Sequence, residues 1–236
     1  MIDVLYIKGK PSLSMDLELK YSLRTLEQNA KGIGRVFITG ECPEFINKDK
    51  IIFTPEEDIG SPMINHWWKV KQTIERTDIS KRFVLMYDDI FFTKEVEIET
   101  YPFYQKGFLH QIKTGGPVYR ESLYNAAEWL LNHGKTMYDF ELHVPCIYDK
   151  NKFKKLTEVF EKIKGEYPAM AVRSVYANLF EKERPFRSDI KFRTPNESPE
   201  DLPEEADCLS VSDSAFRYKV LPWLEKNYPE RSKYEK

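Results

Sequence analysis

Segments with buried-strand character alternate with helical segments through the first 90 residues, and this alternation constrains the fold more than any other feature. The predicted elements are, in chain order, strand 3–7, helix 16–29, strands 36–40 and 51–53, helix 67–77 and strand 83–87. Each is recognised by the spacing of its apolar residues. Strands that alternate with helices favour the α/β class, with a mainly parallel central sheet flanked by helices.

Two adjacent aspartates, Asp88 and Asp89, end the strand predicted at 83–87. In a parallel sheet the ligand binds beyond the carboxyl ends of the strands. Neighbouring carboxylates repel each other, and a divalent metal carrying a phosphate relieves that repulsion because hard cations take oxygen ligands. The pair therefore indicates an enzyme that handles a nucleotide diphosphate. The alternative is a solvated loop corner, since aspartates are common in turns.

Three further polar residues have side chains suited to catalysis or binding. His143 lies close to Pro145, which restricts the backbone, and an imidazole can act as a general base near neutral pH. A histidine with a satisfied hydrogen bond is the alternative. The planar guanidinium of Arg173 suits phosphate recognition, and the alternative, favoured for an isolated arginine, is an ordinary salt bridge. Asp213 lies near a predicted strand, or caps a helix that begins at Ser214.

The length of 236 residues indicates a single domain over residues 1–236. Within it we expect an irregular middle at about 94–140, with a loop signal at 114–117, and a surface excursion at about 181–206 that is charged and rich in proline. The formal net charge of −2 provides no global basic field of the kind that binds nucleic acid non-specifically.

The cysteines and the apolar runs bear on the cellular compartment. Cys42, Cys146 and Cys208 are too few and too scattered for a disulfide framework or a thiolate zinc site, and are read as reduced thiols. No apolar run is long enough to span a bilayer, and the chain opens into a strand rather than a signal peptide. We therefore expect a cytoplasmic protein. No P-loop, Rossmann glycine fingerprint or serine-nucleophile elbow is present, which removes several large enzyme classes.

Four segments spread over nearly the whole chain carry a resemblance to one known family. They are residues 3–6 (Asp-Val-Leu-Tyr), residues 18–28 (Glu-Leu-Lys-Tyr-Ser-Leu-Arg-Thr-Leu-Glu-Gln) with the Asp-Asp element at 83–92, residues 143–145 (His-Val-Pro) followed by Arg173, and residues 228–235 (Tyr-Pro-Glu-Arg-Ser-Lys-Tyr-Glu). In this order they resemble the Stealth family of sugar-phosphate transferases, which includes bacterial capsule polymerases. The chain departs from the family at residues 7–9, where Ile-Lys-Gly replaces the usual Thr-Trp-Val-Asp-Gly and an acidic position is lost.

The resemblance implies a GT-A-like nucleotide-diphospho-sugar transferase fold, with the donor, a UDP-sugar by preference, over the carboxyl ends of the strands. Asp88 and Asp89 would hold Mg²⁺ or Mn²⁺ on the diphosphate. His143 would deprotonate the acceptor hydroxyl, and Arg173 would act in catalysis by binding phosphate oxygens. The remaining residues expected to bind the donor are Asp3, Arg24, Asn178 and Asp213.

Several alternatives stay open at this point. Attack at the β-phosphorus transfers a sugar phosphate and releases a nucleoside monophosphate, whereas attack at the anomeric carbon transfers a sugar and releases a diphosphate. The acceptor hydroxyl belongs to a glycan, or to a hydroxymethylated base in DNA, for which the lysines of residues 150–164 would form a basic groove. A carbohydrate- or nucleic-acid-binding protein that keeps the fold without turnover is the alternative from another class.

Overall fold

The computed structural model of the chain describes residues 1–109 and 116–236. Its strands are β1 (Ile2–Lys8), β2 (Ala30–Lys31), β3 (Ile33–Gly40), β4 (Ile51–Pro55), β5 (Arg82–Met86), β6 (Ile90–Phe92), β7 (Val96–Glu97), β8 (Cys146–Asp149), β9 (Lys191–Phe192) and β10 (Cys208–Val211). Its helices are α1 (Leu17–Asn29), α2 (Pro62–Arg76), α3 (Pro117–Asn132), α4 (Lys150–Ile163), α5 (Val172–Phe180), α6 (Asp213–Ala215) and α7 (Leu221–Asn227). None of these described helices is long and apolar enough to cross a membrane.

A five-stranded sheet in the order β4-β3-β1-β5-β8 forms the centre of the molecule. Its first four strands run parallel, and β8 lies antiparallel to β5 at the edge. Successive side chains of a strand point to opposite faces, so Leu5 of β1 packs with Val70 of α2 while Tyr6 packs with Leu23 of α1. Helices on both faces explain why the strands read as continuous apolar runs. The expected mainly parallel α/β fold is confirmed.

A second sheet, β6-β10-β9, brings the far end of the chain to the aspartate pair. Strand β6 begins directly after Asp89 and pairs antiparallel with β10, which runs parallel to β9. The backbone N–H of Val211 donates to the carbonyl oxygen of Asp89 at 3.3 Å. Phe91 stacks on Phe216, with ring centroids 6.0 Å apart, and so fixes this sheet against the chain that follows β10.

The strand β3 passes unusually close to the end of β1. Gly40 has φ +124°, and a Cβ atom there would lie 1.8 Å from the carbonyl oxygen of Lys8. Only glycine fits at this position. The ammonium of Lys69 donates to the same carbonyl at 2.7 Å and pairs with Asp58 at 2.5 Å. The last residue of β1 is thus held from two sides.

The structure differs from the sequence prediction mainly outside the central sheet. The helix predicted at 67–77 begins earlier, at Pro62, because the Ser61 hydroxyl caps it by accepting from the backbone N–H of Ile64. Helix α5 has no counterpart in the sequence prediction. Of the loop predicted at 114–117, residues 114 and 115 lie outside the described residues.

Candidate active site

A cleft of about 500 Å³ lies beyond the carboxyl ends of β5 and β10. The described residues that line it are Ser12, Glu18, Asp88, Asp89, Lys191, Val211, Ser212, Asp213 and Ser214. Four of these side chains are carboxylates and only one is a lysine. An anionic ligand such as a diphosphate would be repelled here unless a cation entered with it.

Asp88 follows β5 and has Lys8 as its ion-pair partner. The Lys8 ammonium lies 3.3 Å from Asp88 Oδ2 and 2.8 Å from Asp16 Oδ1, and its side chain is only 3% exposed. Burial raises the pKa of Asp88 to about 6, with further contributions from Asp89 and Glu18, although Lys8 opposes the change. No described residue donates a hydrogen bond to Asp88 Oδ1. Asp88 is therefore a carboxylate that is short of positive charge.

The environment of Asp89, the next residue, stabilises the ionised carboxylate, in contrast to that of Asp88. Its Oδ2 accepts from the Lys191 ammonium at 2.8 Å and from the Ser210 hydroxyl at 3.0 Å. Burial alone would raise the pKa of Asp89, but Lys191, His143 and these hydrogen bonds bring it below the ordinary value. Its Oδ1, like that of Asp88, has no hydrogen-bond partner among the described residues. Each aspartate thus gives one oxygen to a lysine and leaves the other without a partner.

His143 forms a pair with Asp189 and interacts electrostatically with Asp89, one of the cleft residues. The Nδ1 atom lies 3.2 Å from both carboxylate oxygens of Asp189, and the backbone N–H of His143 also donates to Asp189, at 3.3 Å. Arg193 holds the carboxylate from its other side at 2.9 Å. Burial lowers the pKa of His143, Asp189 raises it, and Lys191 lowers it further, with the result below the ordinary value. A neutral His143 donates Nδ1–H to Asp189, which leaves Nε2 as a proton acceptor.

Arg173 does not reach the cleft. Its side chain is 2% exposed, its guanidinium lies over the Tyr87 ring at 4.4 Å from the centroid, and it donates to the carbonyl oxygen of Leu142. Tyr87 immediately precedes Asp88, and Leu142 immediately precedes His143. The contacts of Arg173 therefore join the two segments that carry the candidate site, and none of them points to a bound phosphate.

Three of the expected donor-binding residues also lie elsewhere. Arg24 gives its guanidinium to Glu235, with two contacts of 2.8 Å. Asp3 pairs with Arg35 at the amino end of β1, opposite the end where the cleft lies. Asn178 is buried and bonds to residues 136–138 and to α5 itself.

Asp213, by contrast, lines the cleft, as expected of a donor-binding residue. It does not cap the helix, because the Ser212 hydroxyl fills that role by accepting from the backbone N–H of Ala215. The structure therefore brings Asp88, Asp89 and Asp213 together in the cleft wall, and His143 interacts electrostatically with Asp89.

The sequence analysis assigned no role in the site to four partners of these residues. They are Lys8, Glu18, Asp189 and Lys191. One signal for the last two was available: Asp189 and Lys191 stand two residues apart in the sequence, and in an extended segment side chains at this spacing point to the same face. The segment read as a surface excursion at about 181–206 therefore contributes two groups to the site.

The donor set fits a hard divalent cation such as Mg²⁺ or Mn²⁺ only in part. Carboxylate oxygens are the ligands such ions prefer, and Glu18 Oε1 is a buried oxygen without a partner in the cleft wall. Among the residues described, however, no three acidic, histidine or cysteine side chains stand close enough to share one ion. A cation at Asp88 and Asp89 would need further ligands from water or from a bound phosphate.

Comparison with solved structures supports the fold. The crystal structure of the galactosyltransferase LgtC, in complex with donor and acceptor sugar analogues, matches this chain with a TM-score of 0.59 and 9% sequence identity, over 98% of each chain. The GT-A-like fold expected from the sequence is therefore confirmed. No protein-family model matches the chain, and no curated protein matches it by sequence. The resemblance to the Stealth family is thus not confirmed.

Proposed function

We propose that this protein is a nucleotide-sugar-dependent transferase that moves a sugar or a sugar phosphate to an acceptor hydroxyl. The observation that carries the proposal is the His143–Asp189 pair, whose histidine interacts electrostatically with Asp89, in a carboxylate-lined cleft at the carboxyl ends of the strands. Ligands of such sheets bind at this end. The similar fold of a galactosyltransferase crystallised with sugar analogues supports the same class of reaction.

Asp88 and Asp89 would hold Mg²⁺ or Mn²⁺ through their Oδ1 atoms. The bound ion would neutralise the charge of the donor diphosphate as the leaving group departs. Lys8 and Lys191 keep the other oxygen of each carboxylate in place. Asp213 lies on the same cleft and would orient the donor.

His143 would take the proton of the acceptor hydroxyl at Nε2. Asp189 keeps the ring proton on Nδ1 and stabilises the imidazolium that forms, while Arg193 fixes Asp189. Because burial holds the pKa of His143 below its ordinary value, the ring is unprotonated and competent as a base near neutral pH. Arg173 contributes by holding the segment before His143 against Tyr87.

The preferred donor is a UDP-sugar and the preferred acceptor is a glycan hydroxyl. The proposed transfer takes place in the cytoplasm. A DNA acceptor would need the lysines of residues 150–164 to form a basic surface. Two of them are already in ion pairs, Lys152 with Glu181 at 3.1 Å and Lys164 with Glu161 at 2.8 Å. We therefore keep the glycan as the acceptor class and leave the atom attacked, anomeric carbon or β-phosphorus, to experiment.

The first test is a screen of nucleotide sugars by thermal shift, with and without Mn²⁺. A ligand at about 100 times its Kd stabilises by about 2.7 kcal/mol, which raises the Tm of a protein of this size by about 5–10 °C. We expect a metal-dependent shift that disappears in Asp89→Ala. The matched control is Asp78→Ala, an exposed ion-paired aspartate near the amino end of β5. A metal-dependent donor shift that survives in Asp89→Ala would overturn the assignment.

The second test follows turnover and the nucleotide released. A monophosphate product indicates attack at phosphorus, and a diphosphate product indicates attack at carbon. His143→Asn should lower turnover by about 10²–10⁴-fold, without changing the Kd of the donor, because only proton transfer is lost. In the wild type, turnover should fall as the pH drops below about 6, where Asp88 becomes protonated. Equal loss of donor binding and turnover in His143→Asn would contradict the role of a base.

A further inference from the structure

Glu18 in α1 has a buried carboxylate, and one of its oxygens accepts no hydrogen bond from the described residues. Its side chain is 3% exposed and lies in the wall of the cleft. Oε2 accepts from the Ser12 hydroxyl at 2.6 Å, whereas Oε1 has no hydrogen-bond partner among the residues that the structure describes. A buried ionised oxygen without a partner costs free energy, and its usual explanation is an ion or a water molecule at that position.

The loop before α1 fixes the direction of this carboxylate. The Ser12 hydroxyl accepts from the backbone N–H groups of Ser14 and Asp16, at 3.2 and 3.1 Å, so it cannot turn away from Glu18. Met15 and Asp16 have φ values of 54° and 62°, in the left-handed region. Such residues cost about 1 kcal/mol or more each and persist where the surroundings hold them. The loop therefore keeps Oε2 on Ser12 and leaves Oε1 free.

The charge around Glu18 also calls for a cation. Glu18, Asp88 and Asp89 line the same cleft, so their carboxylates are electrostatic neighbours. Asp16, Asp88 and Asp89 already outnumber the two lysines that pair with them. With Glu18 and Asp213, which line the same cleft, the carboxylates outnumber these two lysines by three, and this excess of negative charge favours binding of a divalent cation.

We propose that Glu18 is the third carboxylate of the cation site, and that its Oε1 accepts from a water molecule bound to the Mg²⁺ or Mn²⁺ ion at Asp88 and Asp89. This inference rests on the proposed function. Mg²⁺ keeps several of its water molecules in proteins, and outer carboxylates of this kind change metal affinity by about 10–100-fold. The intervening water agrees with the absence, among the described residues, of three protein groups close enough to bind one ion directly.

The test is a titration of Mn²⁺ followed by electron paramagnetic resonance, which reports the free ion, with and without UDP. Glu18→Gln keeps the shape of the side chain and its bond to Ser12 but removes the charge. We expect it to weaken Mn²⁺ binding by about tenfold or more, as for outer carboxylates in general. Glu161→Gln, on the surface of α4, is the matched control and should bind Mn²⁺ as the wild type does. Urea denaturation without metal should show no loss of stability in Glu18→Gln.

The variants Asp88→Asn and Asp89→Asn separate this inference from the proposed function. If both lose Mn²⁺ while Glu18→Gln binds it normally, the role of Glu18 is overturned and the proposed function stands. If the wild type binds no Mn²⁺ even with UDP, both the role of Glu18 and the proposed function are overturned. Ser12→Ala keeps the charge of Glu18 but frees its orientation, so a smaller loss of affinity is expected. Should Glu18→Gln fail to fold, unchanged Mn²⁺ binding in Ser12→Ala would count against the inference.

Discussion

Replacing Asp88 with asparagine should stabilise the metal-free protein at pH 8, although it removes a carboxylate from the candidate site. The folded protein raises the pKa of Asp88 from 3.8 to about 6. Each pKa unit is worth about 1.4 kcal/mol, so keeping Asp88 ionised costs the folded state at most about 3 kcal/mol. Partial exposure of the side chain reduces this, and we expect a gain of about 1–3 kcal/mol. Lys8 keeps Asp16 as its partner at 2.8 Å.

The raised pKa of Asp88 also predicts how the free energy of unfolding changes with pH. Between about pH 4 and 6 the folded protein holds more protons at Asp88 than the unfolded chain does, so the wild type loses stability as the pH rises through this window. The advantage of Asp88→Asn should therefore be full at pH 8 and smaller at pH 5. Urea denaturation at the two pH values measures it. With an m value of about 2–3 kcal/mol/M, a gain of about 1–3 kcal/mol should raise the urea midpoint by about 0.3–1.5 M at pH 8.

Asp89 provides the control, because its environment lowers the pKa of the carboxyl group, whereas the environment of Asp88 raises it. Lys191 and Ser210 hold the pKa of Asp89 below its ordinary value, so its ionised form stabilises the folded protein at pH 8. Asp89→Asn should lower the urea midpoint where Asp88→Asn raises it. The reasoning is refuted if Asp88→Asn is also destabilising at pH 8, or if its gain is equally large at pH 5.

The remaining predictions concern stability and the separation of structural from functional roles. Gly40→Ala should destabilise by several kcal/mol and reduce soluble expression, because its Cβ would overlap the Lys8 carbonyl. Glu235→Gln removes the ionic partner of a buried Arg24 and should cost about 3 kcal/mol in urea denaturation while donor affinity stays unchanged. A selective loss of donor affinity in Glu235→Gln would instead return Arg24 to the donor site.

The central sheet was predictable because its signals are local. Apolar runs at 3–7, 36–40 and 83–87 are buried on both faces, and an amphipathic pattern coincides with α4. The position of Asp88 and Asp89 at a strand end followed from the same pattern. Residue spacing was therefore sufficient to predict features that depend on a single strand or helix.

The pairings of the candidate site were not predictable, because the two members of each pair come from distant parts of the chain. Lys191 is 102 residues from Asp89, and Asp189 is 46 residues from His143. Spacing patterns carry no information about such pairings. Arg24 illustrates the consequence: its type suits phosphate binding, but a carboxylate 211 residues away occupies its guanidinium.

Asp189 and Lys191 bind two different residues of the candidate site from positions two residues apart in the chain. One holds His143 and the other holds Asp89, and the single residue between them sets the spacing of the two contacts. Inserting one residue there would turn one of the two side chains to the opposite face of the extended segment. Substitutions can change this segment gradually, but its length between these two positions is fixed by the site. Related sequences that share the site should therefore vary freely around residues 189–191 and never in the number of residues within them.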